Sequence, residues 1–133
     1  MKYIGMEQKN EPKFLYFRTE ATDADDDATG DSALFPVSSL MGMQPTADTS
    51  LTLYFKSMLR GSGNEGAGDA LANLDNNDSV IVTIPANTHL IAMQAIITAI
   101  VSPASKPIVI VANDDSGSTE YLSGSGISAC GAI

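Results

Sequence analysis

Ser79-Val80-Ile81-Val82-Thr83-Ile84, then Asn87-Thr88-His89-Leu90-Ile91-Ala92-Met93-Gln94-Ala95-Ile96-Ile97-Thr98-Ala99-Ile100-Val101, then Ile108-Val109-Ile110-Val111 are the segments that decide the fold. The first is β-branched and apolar on both faces, as expected of a central strand, and Pro85 ends it. Asn87 or Thr88 supplies a helix cap. The second segment predicts a helix that is apolar nearly all the way round, broken only by a narrow stripe of Gln94, Thr98 and Ser102 at i, i+4 spacing. Pro103 and Pro107 then stop the helix and turn the chain, because proline cannot continue the hydrogen-bond ladder. The third segment predicts a second buried strand. A strand, helix, strand unit of this length is expected to pair its strands in parallel through a right-handed crossover, directly or with another strand between them.

Working outward, Phe14-Leu15-Tyr16-Phe17-Arg18-Thr19 is aromatic-rich and predicts the first strand. Residues 33–43 are strand-like but interrupted by Pro36, which suits an edge or a bulge. From Thr49 to Ser57, Leu51, Leu53 and Phe55 alternate with Thr52, Tyr54 and Lys56, giving one core face and one wetter face. Arg60 to Asp78 predicts a loop. Glu120-Tyr121-Leu122 and Ile127 to Ile133 suit a closing hairpin through Ser123-Gly124-Ser125-Gly126. The expected architecture is α+β: a single domain over residues 13–133, with a mixed, mainly antiparallel sheet and one principal apolar helix at about 87–102 in the strand-helix-strand unit. Residues 1–12 are polar and irregular and are expected to form an N-terminal arm.

A chain of 133 residues is one domain's worth, with room for a single modest core. An all-round apolar helix exceeds what such a core hides, so its outer surface is expected to meet another subunit through Ile91, Met93, Ile97, Ile100 and Val101. Only 17% of residues are charged, and the balance of seven Lys plus Arg against sixteen Asp plus Glu leaves −9. That charge argues against a phosphate backbone as a partner and against an anionic membrane surface. The apolar run through Val101 is too short and too interrupted to span a bilayer. The first residues carry no apolar core of a signal peptide, and the lone Cys130 forbids an internal disulfide.

Chemical motifs are few. Gly61-Ser62-Gly63-Asn64-Glu65-Gly66 matches G-x-G-x-x-G, but Glu65 repels a pyrophosphate and no helix is expected to start at Gly66, so it reads as a loop. Asp23, Asp25 and Asp27, with Asp31, have the alternate-carboxylate spacing of a Ca²⁺ loop. Ala28 stands where the sharp-turn glycine belongs and Leu34 where the bidentate glutamate belongs, so a solvated acidic loop is favoured over a divalent-ion site. Asn113-Asp114-Asp115 reads as a turn. His89 is the only histidine and has no second imidazole or thiolate at ligand spacing to hold zinc. Pairing it with Cys130 for nucleophilic catalysis has no local support, and no serine sits in a G-x-S-x-G elbow. No cofactor and no enzymatic activity are expected.

Phe14 to Thr19, the acidic loop from Asp23 to Asp31, Leu34-Phe35-Pro36-Val37 and Leu51-Thr52-Leu53-Tyr54-Phe55 together resemble small virion-associated proteins of tailed bacteriophages, particularly those of marine cyanobacteria. The resemblance continues more loosely through Val80 to Ile84, the helix, and Ile108 to Asp115. It rests on patterning, and the chain differs in its more hydrophobic helix and its Gly-rich stretch from Gly61 to Gly68. The resemblance implies a structural protein present in many copies on a particle, made in the host cytoplasm and located in the virion. A capsid decoration or cement protein is the expected role, with the major capsid protein or other virion proteins as partners and a homo-oligomer as the expected state. A tail or tube component is the alternative among structural roles, and a small acidic divalent-cation-binding module the alternative from another class.

Overall fold

A computed structural model describes residues 12–22, 27–28, 30–57, 78–103 and 106–133. Residues 60–77 of the loop expected from Arg60 to Asp78, with its G-x-G-x-x-G motif, residues 1–11 of the arm expected at 1–12, and Asp23 and Asp25 lie outside the described residues, and Asp78 itself opens a strand. The described residues give an α+β domain. In chain order the elements are β1 (Phe14–Arg18), β2 (Ser32–Pro36), a short 3-10 turn (Val37–Ser39), β3 (Leu40–Ala47), β4 (Ser50–Phe55), β5 (Asp78–Thr83), α1 (His89–Val101), β6 (Ile108–Asn113), β7 (Glu120–Tyr121) and β8 (Ala129–Ala132).

The strands form two four-stranded sheets rather than one, ordered β2-β1-β6-β7 and β3-β4-β5-β8. Among the described residues every pairing is antiparallel except β1 with β6. The strand-helix-strand unit therefore does not pair its own strands. β5 lies in one sheet and β6 in the other, where β6 takes β1 as its parallel neighbour, so α1 carries the chain between sheets. The expected closing hairpin is also divided. β7 pairs with β6 and β8 with β5, so the turn from Leu122 to Ser128 crosses from one sheet to the other.

Period-two alternation explains the shared core. Leu15, Phe17 and Phe35 point inward from the first sheet, and Leu51, Leu53, Phe55, Val80 and Val82 from the second. Ala92 and Ile96 of α1 join the same cluster. Val111 and Ala112 are consecutive yet both buried. The β1–β6 register slips by one between Tyr16 and Phe17, and this bulge turns two adjacent side chains inward. Three aromatic rings clasp the sheets together: Phe35 stacks on Phe55 with centroids 4.0 Å apart, and Phe17 meets both edge-on.

Three of the four edge strands of the described sheets are blunted. β3, the longest edge strand, carries Pro45 and two register slips against β4, β2 ends at Pro36, and β7 has only two residues. Each of these devices discourages strand addition.

The crossing turn relies on Gly126, which has φ +78° and would place a Cβ 3.2 Å from Pro85 Cδ. Gly126→Ala is expected to cost about 1–2 kcal/mol from the left-handed backbone alone. Urea unfolding of the variant would measure it.

A polar tie holds the same region. Asp114 accepts a hydrogen bond from the Tyr121 hydroxyl at 2.5 Å through one oxygen and from the Cys130 backbone N–H at 3.0 Å through the other. It thereby joins β7 of one sheet to β8 of the other. Burial, followed by the hydrogen bond to Asp114, pushes the Tyr121 hydroxyl up to about 12, and burial, followed by the Asp114 charge, pushes the Cys130 thiol up to about 12. Both groups are neutral when protonated, so above their ordinary pKa values the folded chain holds protons that the unfolded chain has released. Their contribution to stability is complete below about pH 9 and is lost as pH rises toward about 12. Thermal melts across that range should fall steeply for the native chain and less steeply for Tyr121→Phe. The variant should start about 1.5–3 kcal/mol less stable at neutral pH, having lost a bond to a charged acceptor.

Candidate interface on the helix

α1 is pinned at both ends. At its start, His89 Nε2 lies 3.0 Å from the Ala47 carbonyl and 3.1 Å from the Ser50 carbonyl, so its N–H is shared between them in the β3–β4 turn. At its end, Lys13 Nζ donates to the carbonyls of Ala99, Ile100 and Ser102. These are carbonyls that a helix C-terminus leaves without intrahelical partners, and a cation there also complements the helix dipole. The two ties anchor the helix to the second sheet at one end and to the entry of β1 in the first sheet at the other. Ahead of the helix, Asn87 takes φ 66°, a left-handed conformation that asparagine tolerates better than most residues. Thr88 stands at the N-cap position, but its hydroxyl donates back to the Pro85 carbonyl and caps no helical N–H.

The helix turns one narrow side inward. Ala92 and Ile96 are fully buried, and Met93 and Ile100 pack half-buried against the core. The opposite side is aliphatic and open: Leu90 is 65% exposed, Ile91 53%, Ile97 46% and Val101 72%. Gln94 and Thr98 are exposed beside them. Of the five residues expected at an interface, Ile91, Ile97 and Val101 share this outer surface, whereas Met93 and Ile100 turn toward the chain's own interior. Leu90 was missing from that set. Its signal was its place one turn before Gln94 and two before Ile97, which puts it on the same face.

The other candidates are placed apart or already engaged. Asp27 is exposed, and Asp31 Oδ2 accepts the Ala28 N–H at 2.9 Å, closing its own turn. Asp115 accepts from the Gly117 N–H and the Ser118 hydroxyl, and the Asp115 N–H donates to Asn113 Oδ1, so the segment at 113–118 is a side-chain-stitched turn. Among the described residues no group of three or more His, Cys, Asp or Glu side chains is arranged to hold a metal ion. His89 is a structural tie to two carbonyls. Cys130 is buried with Asp114 as its charged neighbour, an environment that opposes thiolate formation and so opposes nucleophilic use. Among the described residues no helix is long and apolar enough to cross a membrane.

Comparison with known protein families, curated proteins and solved structures returns no match to this chain.

Proposed function

We propose that the chain is a non-enzymatic structural subunit of a virion, acting as a decoration or cement protein that strengthens joints between shell proteins. The observation that carries the reading is the outer face of α1, where Leu90, Ile91, Ile97 and Val101 stand open on a helix held rigid at both ends. Complete burial of one such side chain is worth roughly 1.5–3 kcal/mol, so covering this face supplies a driving force for assembly. Because the helix is already pinned, little ordering entropy opposes docking. The charge of −9 keeps such a subunit away from a packaged genome. The resemblance in strand patterning to small phage virion proteins supplies the particle. The expected partners are the major capsid protein or other virion proteins.

Immunogold labelling of purified particles tests the reading. Label spread over heads supports it, label confined to tails favours a tail or tube component, and particles free of label overturn it. Ile97→Asp is expected to remove most incorporation into particles while the isolated protein stays folded, its melting temperature lowered by no more than about 5 °C, a pairing measured by quantitative mass spectrometry of particles and by circular dichroism.

A further inference from the structure

We draw no further inference here: the strongest candidate, the outward apolar face of the β2-β1-β6 strands, where Pro36, Phe14 and Ile108 form one row and Leu34, Tyr16 and Ile110 the next, carries nothing because nothing in the structure shows what covers it.

Discussion

Ile96→Asp is expected to prevent folding, whereas Ile97→Asp, one residue later, should shift stability by no more than about 1 kcal/mol. The two side chains have similar chemistry and opposite surroundings: Ile96 is fully buried beside the core strands and Ile97 lies on the open face. A carboxylate at position 96 would lose its water among the apolar side chains of the core cluster, a penalty of several kcal/mol even after relaxation. Added to the lost aliphatic packing, that approaches the roughly 5–15 kcal/mol that holds an ordinary domain together. At position 97 the carboxylate stays hydrated, and the remaining costs are those of a surface substitution and a modest drop in helix propensity. Circular dichroism melts of the two variants check the orientation of α1 directly. If Ile97→Asp unfolds the chain, the outer face assigned here is an inner one.

Phe55→Ala should cost about 3–5 kcal/mol, the range for removing a buried aromatic ring from a packed core. Phe55 is the only one of the three core rings supplied by the β3-β4-β5-β8 sheet, and it meets both others, stacking on Phe35 and receiving Phe17 edge-on. Truncating it empties the contact between the layers from one side. With the entropy change typical of a chain this size, the melting temperature should fall by roughly 10–20 °C. A double-mutant cycle with Phe35→Ala should show coupling of about 0.5–1.5 kcal/mol, which isolates the stacked pair from the general loss of burial.

Which stretches become strands was legible because local chemistry decides it. Aromatic and β-branched runs produced β1, β5 and β6, and the alternation of Leu51, Leu53 and Phe55 with Thr52 and Tyr54 produced β4 with its inward face identified. The helix bounds followed from Pro85, Thr88 and the prolines after Ser102. Strand partnership was not legible. A strand that is apolar on both sides shows that it is covered on both sides, but nothing in Ile108 to Val111 distinguishes β1 from β5 as a neighbour. The split of Glu120 to Ile133 between sheets was hidden for the same reason, since the Gly-rich turn permits a hairpin and a crossing alike. In the helix the difficulty was reversed. With apolar residues at almost every position, periodicity carries no phase, and only the contacts of Ala92 and Ile96 separate the inner Met93 and Ile100 from the outer Ile91, Ile97 and Val101.

The parallel pairing of β1 with β6 also governs how the molecule is born. β1 and β6 are separated by about ninety residues of chain, and among the described strands β1 otherwise pairs only with β2. During synthesis, residues 14–18 therefore lack their parallel neighbour until residues 108–113 have been made. Because sequence-distant contacts must form before either layer is complete, folding is expected to be slow for a domain of this size. Nascent copies are most vulnerable to clumping in that interval, before β6 arrives.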